Sequence, residues 1–226
     1  MIKIALDGPS GAGKSTVAKA IAKELGIVYV DTGALYRSIG LYVMRRSIDK
    51  KDNEKIIPLL SEIELSLTFV DGAQRVILNG EDVSGLIRTG EIAMYASAVS
   101  AIPEVREFLL ETQRKIAREN HVIMDGRDIG TVILPDAQVK IFMIASPEAR
   151  AKRRYLELIE KGEKCTLESV LADINQRDNN DSTRKVAPAV PAEDAVFLDN
   201  SDLTIEGTVA KAIEIVSSKV DLGELK

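Results

Sequence analysis

The sequence predicts an α/β protein with a parallel central sheet covered by helices on both faces. Short apolar runs alternate with segments whose apolar residues recur at helical spacing, from one end of the chain to the other. This alternation breaks around residues 65–85, where strands at 65–70 and 75–80 are joined by a turn at 71–74 and followed by an irregular segment at 81–89. Because an intervening helix makes successive strands parallel, the alternating part forms the sheet and residues 65–85 form an antiparallel insertion.

Each remaining element follows from its local pattern. The strands of the central sheet are predicted at 2–6, 27–31, 121–125, 139–145 and 195–201. The helices are predicted at 14–25, 32–46, 54–63, 90–101, 103–119, 146–162 and 204–220, and a further helix carries Arg177 and Asp181. Thr32 is expected to cap the helix that it begins, and Pro103 and Ser146-Pro147 mark two other helix starts.

Composition limits the class of protein. A chain of 226 residues is long enough for one large α/β domain with an insertion, and 45% apolar but only 4% aromatic residues predict an aliphatic core. The single cysteine, Cys165, excludes a disulfide framework and favours a reducing compartment, so we expect a cytoplasmic protein. No apolar run reaches membrane-spanning length, and Asp7 ends the first run too early for a signal peptide. A net charge of −5 argues against a general nucleic-acid binder.

Residues 8–16, GPSGAGKST, have the pattern of a phosphate-binding loop. Gly8, Gly13, Lys14 and Ser15 match the motif GxxxxGK[ST] between a predicted strand and a predicted helix, which is the context that the motif requires. The glycines let several backbone N–H groups converge on one anion, and the helix start adds the positive end of its dipole. Lys14 supplies a charge for the outer phosphates, and Ser15 supplies a hydroxyl suited to Mg²⁺. A chance glycine-rich turn before Lys-Ser is the weaker alternative.

Arginine residues recur beside glycine, aspartate and proline in this acidic protein. Their distribution favours small anionic ligands held by forked donors over one extended basic surface. For any single arginine, an exposed position on a helix face is the simpler alternative. The arginines concerned are Arg37, Arg88, Arg106, Arg127, Arg150, Arg153, Arg154, Arg177 and Arg184.

Asp125 ends the predicted strand 121–125 and is followed by Gly-Arg-Asp. In proteins with this phosphate-binding loop, an aspartate at the end of a second central strand commonly helps to hold the Mg²⁺ shell. Asp125 and Ser15 are therefore the predicted metal-side residues. Asp-Gly is also a common turn pair, which is the structural alternative. A turn does not require the cation of Arg127 or the carboxylate that Asp128 adds to that of Asp125.

The predicted helix 146–162 carries Arg150, Arg153 and Arg154 on one face. Such a cluster could close over phosphates as a lid and neutralise the charge of a transferring group. A charged, exposed helix face with nearby glutamates as ion-pair partners explains the same spacing about as well.

Six segments resemble, in this order and spacing, the bacterial cytidylate kinase family over nearly the whole chain. They are DGPSGAGKST, VDTGALYR, GEDVSGLIRT, DGRDIGTVILPDAQVKIF, RRYLEL and RDNNDSTRKVAPAVPAEDA. The first segment is shared by many nucleotide-binding proteins, whereas DGRDIGT and the last segment are far more specific. The resemblance implies the nucleoside monophosphate kinase fold and transfer of the γ-phosphoryl group of ATP to CMP or dCMP, with Mg²⁺. It also implies a monomer whose partners are these small molecules, without nucleic acid or membrane.

The resemblance further implies a division of the chain and a role for individual residues. Residues 1–31, 102–145 and 164–226 would form the core, residues 32–101 the CMP-binding domain with the insertion, and residues 146–163 a helical lid. ATP would be bound by Gly8, Pro9, Ser10, Gly11, Ala12, Gly13, Lys14, Ser15 and Thr16. The CMP phosphate would be bound by Arg37, Arg127 and Arg184, cytosine by Arg106 and Asp128 with Thr32, and the sugar by Arg177 and Asp181 with Ser97. Arg150, Arg153 and Arg154 fall in the lid, and the expected catalytic residues are Lys14, Arg127, Arg154 and Arg184.

Other classes of phosphate-loop protein fit the sequence less well. A switch GTPase needs an Asn-Lys-x-Asp guanine reader, and the chain contains none. An ATPase stimulated by nucleic acid needs a basic track. A kinase of another small acceptor, such as a different nucleotide or shikimate, is the strongest competitor on motifs alone. No general base is required, because the phosphate of CMP is already an anionic nucleophile, and His121 is expected to be structural.

Overall fold

The computed structural model describes residues 1–70 and 72–225, and its strands and helices follow the predicted alternation. The strands are β1 Lys3–Asp7, β2 Val28–Asp31, β3 Leu65–Val70, β4 Ala73–Leu78, β5 Glu81–Asp82, β6 Val122–Asp125, β7 Val139–Ile144 and β8 Val196–Asp199. The helices are α1 Lys14–Leu25, α2 Thr32–Arg45, α3 Asn53–Leu59, α4 Gly90–Val99, α5 Pro103–Glu119, α6 Pro147–Glu160, α7 Leu167–Thr183 and α8 Ile205–Ser217. Within these described ranges, no helix is long and apolar enough to cross a membrane.

Five strands in the described part of the chain form the predicted parallel central sheet, in the order β2-β6-β1-β7-β8. The chain also divides into two compact units. The inserted unit comprises Met1 and Val28–Val122, and the core unit comprises Ile2–Ile27 and the chain from Ile123 onward. The fold class predicted from the alternating pattern is therefore confirmed.

The core unit is organised around parallel pairing at the centre of the sheet. β1 pairs with β7 from Ile4 opposite Val139 to Asp7 opposite Phe142, and β7 pairs in turn with β8. The strand residues Ile4 and Leu6 are fully buried, which is why these runs are apolar throughout rather than alternating. Since the strands are parallel, the residues that follow β1 and β6 emerge at the same edge of the sheet.

The inserted unit has its own hydrophobic core, to which α2 and α4 contribute. Leu35 and Ile39 on α2 are fully buried together with Ile92 and Val99 on α4. Gly40 permits the close approach of these two helices. A Cβ atom at Gly40 would lie 2.9 Å from the Tyr95 Cβ and 3.0 Å from the Ala96 backbone nitrogen. These neighbours are backbone-anchored atoms, so a side chain at Gly40 requires the helices to separate.

The antiparallel insertion has the predicted type but different boundaries. β3 and β4 pair antiparallel with Val70 opposite Ala73, so β4 begins and ends two residues earlier than predicted. Since Val70 lies opposite Ala73, two residues separate the strands in place of the predicted turn at 71–74, and this length is common in hairpins. Asp71 of the predicted turn lies outside the described residues, and Gly72 has a φ of 73°. The segment predicted as irregular begins with the short strand β5, which pairs with β4.

The predicted cap of α2 is wrong by one residue. Asp31, not Thr32, is the N-cap, because its carboxylate accepts a hydrogen bond from the Ala34 N–H at 3.0 Å. Thr32 is the first residue of the helix and is buried. The Ser146 cap of α6 and the proline that begins α5 agree with the prediction.

Gly40→Ala should destabilise the protein, because the new methyl group overlaps the backbone of α4. We expect a loss of about 1–3 kcal/mol in the free energy of unfolding, the cost of overpacking a rigid contact. Urea denaturation of the variant and the wild type measures this loss. Gly90→Ala is the matched control, since nothing lies within 4 Å of its Cβ position. Equal stability of both variants would contradict the close approach at Gly40.

Candidate active site

The phosphate-binding loop, residues 8–16, connects β1 to α1 in the core unit. Gly8 has a φ of 145°, and a Cβ atom there would lie 2.2 Å from the Met143 carbonyl oxygen on β7. No side chain fits this position. Gly13 has a φ of 84° and is the N-cap of α1 without any side-chain hydrogen bond. The loop therefore presents its backbone at the start of a helix, as the motif predicts.

Lys14 is buried, and its ammonium group is held by the loop itself. Nζ donates hydrogen bonds to the carbonyl oxygens of Gly8 at 2.9 Å and Pro9 at 2.8 Å. Burial, with a smaller contribution from the neighbouring charge of Arg127, lowers the pKa of Lys14 to about 7. A cation with incomplete solvation gains strongly from an added anion, so this position suits a phosphate group.

The two predicted metal-side residues lie together. The Ser15 hydroxyl donates a hydrogen bond to the Asp125 carboxylate at 2.8 Å. Asp125 ends β6 and is only 6% exposed. A hydroxyl oxygen and a carboxylate oxygen in contact are the donor types that Mg²⁺ binds. In the described ranges, no group of three or more His, Cys, Asp and Glu side chains is placed to hold a metal ion.

The segment Gly126–Asp128, named here the Gly-Arg-Asp loop, is joined to α7 and the residues that follow it by two ion pairs. Arg127 Nε pairs with Asp181 Oδ2 at 2.8 Å, and Arg184 Nη2 approaches Asp128 Oδ1 at 3.4 Å. Asp128 and the side chain of Arg184 are buried. Four residues predicted for the acceptor are thus brought together in the core unit. Arg177, on the same helix, is exposed.

Asp7 belongs to the candidate site, although it was not predicted from the sequence. Its carboxylate accepts hydrogen bonds from the backbone N–H groups of Ile129 and Gly130, both at 2.8 Å. These residues begin the short π-helix Ile129–Ile133, directly after the Gly-Arg-Asp loop. Burial raises the pKa of the Asp7 carboxyl to about 6, although the two N–H donors oppose this rise. Asp7 ends β1 as Asp125 ends β6, so its position at the end of a central strand could have indicated a role in the site.

The three arginines of the predicted lid helix have different environments on α6. Arg150 is buried, donates to the Ser10 carbonyl oxygen at 2.8 Å and pairs with Asp178 at 2.6 Å. Arg153 donates to the carbonyl oxygens of Asn200 and Ser201. Arg154 is partly exposed and pairs with Glu157 at 2.8 Å. The spacing predicted for them therefore does not give them a common environment, and the Glu157 partner of the exposed-face alternative is found for Arg154.

The remaining predicted acceptor residues belong to the inserted unit. Arg37 pairs with Asp31 at 2.6 Å, and its Nε atom is buried without a hydrogen-bond partner in the described residues. Arg106 donates to the Ser100 carbonyl oxygen at 3.1 Å, and its guanidinium lies 5.5 Å from the centre of the Tyr36 ring. Thr32 is buried and Ser97 is partly buried.

Asp31 and Gln74 are further residues that sequence reasoning missed in the inserted unit. The Gln74 side chain accepts a hydrogen bond from the Asp31 N–H at 2.8 Å and donates to the Asp31 carbonyl oxygen at 3.2 Å. It therefore fixes the residue that pairs with Arg37. No spacing rule relates residues that are far apart in the chain, so only the fold reveals this contact.

Comparisons with known proteins show the family of this chain. The cytidylate kinase family model matches residues 4–218. A cytidylate kinase of Caldicellulosiruptor saccharolyticus is 51% identical over 214 residues, covering 95% of each chain. One from Caldanaerobacter subterraneus subsp. tengcongensis is 53% identical over 215 residues, covering 95% of this chain and 94% of the relative. The solved structure of an uncharacterised protein from Eubacterium ventriosum shares the fold, with a TM-score of 0.52 at 14% identity over 96% of this chain and 98% of that chain.

A parallel sheet with a glycine-rich loop between its first strand and first helix defines a nucleotide-binding protein of the P-loop class, and the relatives make it a kinase. Within that class, the chain belongs to the cytidylate kinase family.

The raised pKa of Asp7 predicts a pH-dependent contribution to stability. The folded protein binds a proton at Asp7 more tightly than the unfolded chain, whose value is 3.8, so this contribution is full at low pH and is lost as pH rises through about 6. Relative to Asp7→Asn, the wild type should gain about 1–2 kcal/mol of unfolding free energy between about pH 7.5 and about pH 5. Urea titrations of both proteins at the two pH values measure the difference, in which the other carboxyls cancel. Parallel pH profiles would show that Asp7 titrates normally.

Proposed function

We propose that the protein transfers the γ-phosphoryl group of ATP to CMP or dCMP, giving ADP and CDP or dCDP. The observation that carries the proposal is the family match over residues 4–218, which includes the phosphate-binding loop and the Gly-Arg-Asp loop. A loop that binds phosphate beside paired arginines suits a reaction in which two phosphate-bearing molecules must be held against their mutual repulsion. The lone Cys165 supports action in the reducing cytoplasm, and we take the protein to be a monomer.

On the donor side, residues 8–16 bind the phosphates of ATP. The backbone N–H groups of the loop and the start of α1 supply the positive potential, and Lys14 supplies a full charge. The hydrogen bonds from Lys14 to Gly8 and Pro9 hold the ammonium group at the loop, ready for the outer phosphates. Because Lys14 is buried, its charge acts more strongly than it would in water.

Ser15 and Asp125 would hold Mg²⁺ through their side-chain oxygens. When bound, the ion neutralises charge on the phosphate oxygens. The contact of 2.8 Å between the two side chains supports this assignment, because it brings two oxygen donors to one point.

On the acceptor side, arginines bind the phosphate of CMP and carboxylates read its other groups. Arg37, Arg127 and Arg184 are assigned to the phosphate, Arg106 and Asp128 with Thr32 to cytosine, and Arg177 and Asp181 with Ser97 to the sugar. The structure supports the assignment through preorganisation, since Arg127, Arg184 and Arg37 each already pair with an aspartate that fixes the guanidinium. Rigid forked donors lose little entropy when a phosphate arrives.

The chemistry itself requires little beyond positioning. The phosphate of CMP is an anionic nucleophile, so no residue has to remove a proton from it. Lys14, Arg127, Arg184 and Arg154 would offset the negative charge that moves between donor and acceptor. We propose residues 146–163 as the lid that excludes water, with Arg154, which is partly exposed, as its mobile cation. Residues 32–101 are proposed as the CMP-binding domain, and residues 1–31, 102–145 and 164–226 as the core.

Acceptor-dependent release of ADP tests the proposed function. The protein is assayed with ATP, Mg²⁺ and, in turn, CMP, dCMP, UMP, AMP, dTMP and shikimate. We expect CMP and dCMP to be the preferred acceptors. Faster turnover of any other acceptor would assign the protein to a different kinase activity.

Lys14→Ala should abolish transfer without unfolding the protein. The variant lacks the charge that acts on the bridging and outer phosphates, so we expect kcat to fall by a factor of at least about 10²–10³. Steady-state kinetics with CMP measures the fall, and circular dichroism checks the fold. Lys23→Ala, an exposed position near the end of α1, is the control. Near-normal turnover of Lys14→Ala would remove this loop from the mechanism.

Asp128→Ala should narrow the preference for CMP over UMP. An ionised carboxylate accepts a hydrogen bond from the cytosine amino group but faces a carbonyl oxygen in uracil. With Arg106 reading the adjacent ring atoms, we expect the wild type to prefer CMP by about 30- to 1000-fold in kcat/KM, which corresponds to about 2–4 kcal/mol. The measurement is kcat/KM for both nucleotides with both proteins.

The ratio of the two values is decisive because Asp128 also contacts Arg184. Loss of that ion pair alone would weaken both nucleotides alike. Asp181→Ala, which removes the partner of Arg127, is the matched control and should leave the ratio unchanged. An unchanged ratio in Asp128→Ala would mean that the base is read elsewhere.

A further inference from the structure

Asp178 lies on α7 and contacts the tip of the phosphate-binding loop. Its Oδ1 atom accepts a hydrogen bond from the Ser10 N–H at 3.2 Å, and its Oδ2 atom pairs with Arg150 Nη1 at 2.6 Å. The same guanidinium nitrogen donates to the Ser10 carbonyl oxygen at 2.8 Å. One ion pair therefore holds both polar backbone groups of Ser10.

Arg150 is 3% exposed, which makes its pairing obligatory. Its Nε atom donates to the Ala145 carbonyl oxygen at 2.9 Å, at the end of β7. The other contacts go to Ser10 and Asp178. A buried guanidinium without a carboxylate is strongly unfavourable, so Asp178 keeps this side chain in the position from which it holds the loop.

An apolar cluster between α6 and α7 lies behind this contact. α6 and α7 pack through the buried side chains of Ala151, Val170 and Ile174. A Cβ atom on Gly11 would lie 3.4 Å from the Arg150 Cβ and 3.7 Å from the Ile174 Cδ1. The loop tip is thus seated directly against both helices, and its shape follows theirs.

We propose that Asp178 is a positioning residue for ATP, which holds the tip of the phosphate-binding loop through Ser10 and Arg150 in the shape that receives the donor phosphates. The inference rests on the proposed function, since it assumes that ATP is the ligand of this loop. A loop whose N–H groups are already oriented loses less entropy on binding than one that must be ordered by its ligand. Without Asp178, the Ser10 N–H loses its acceptor, and Arg150 loses the carboxylate that pairs with it beside the Ser10 carbonyl oxygen.

The test measures the affinities for ATP and CMP separately, by calorimetry of the full-length protein with one nucleotide at a time. Asp178→Ala should weaken ATP binding by about 10- to 100-fold, as expected when a group that contacts the ligand is displaced by about 1 Å. Asp178→Asn, which keeps an oxygen for the Ser10 N–H, should recover part of the loss. CMP affinity should stay within about twofold, since Arg177 and Asp181 are unchanged. Asp173→Ala removes an exposed carboxylate from the same helix and should change neither affinity.

The outcomes separate this inference from the function on which it rests. A wild-type protein that binds ATP but not CMP contradicts the proposed acceptor and leaves the role of Asp178 in place. Unchanged ATP affinity in Asp178→Ala, or in Asp178→Asn should the alanine variant not fold, overturns the inference. A parallel loss of ATP and CMP affinity also overturns it, because general damage to α7 would act on both.

Discussion

Arginine–aspartate pairing along α7 is the interaction on which the candidate site of the core unit depends. Asp178 holds Arg150 and the tip of the phosphate-binding loop, and Asp181 holds Arg127 on the Gly-Arg-Asp loop. Both loops are short and rich in glycine or charged residues, so apolar packing of their own side chains does not fix their shape. α7 fixes it instead, because apolar packing against α6 sets the position of this helix. The apolar packing of α7 therefore also determines how the charged groups of these loops are oriented.

The same arrangement explains why so many charges are tolerated below the surface. Asp7, Lys14, Asp125, Asp128 and Arg150 are all buried, and each contacts a charged partner, a hydroxyl group or a backbone group of opposite polarity. Burial nevertheless moves the pKa values of Asp7 and Lys14 toward neutrality, in opposite directions. This residual strain is typical of a site that is completed by a charged ligand. The buried charges thus lower the stability of the folded protein and favour the binding of phosphate.

The parts of the structure that can be predicted from the sequence are those that depend on regular spacing or on neighbouring residues. Alternating apolar runs predict the sheet, and the glycine loop predicts the start of α1, because both depend on neighbours in the chain. The partners of the arginines are not periodic. Arg150, Arg153 and Arg154 share a helical face by spacing, but one is buried against Ser10, one caps carbonyl oxygens and one pairs with Glu157. Likewise, the contact of Gln74 with Asp31 joins residues that are brought together only by the fold. Tertiary packing determines these contact partners, and the propensities of single residues do not predict it.

The spacing of Asp178 and Asp181 on α7 constrains how this chain can change in length. Residues three apart in a helix differ by about 300° of rotation and about 4.5 Å of rise, so the two carboxylates leave the same side toward different loops. One inserted or deleted residue between them would turn everything beyond it by about 100°. The exposed turn at Lys161–Gly162, where glycine has a φ of 77°, carries no such phase relation. Length variation among homologous chains should therefore be absent from the second half of α7 and permitted in the turn before it.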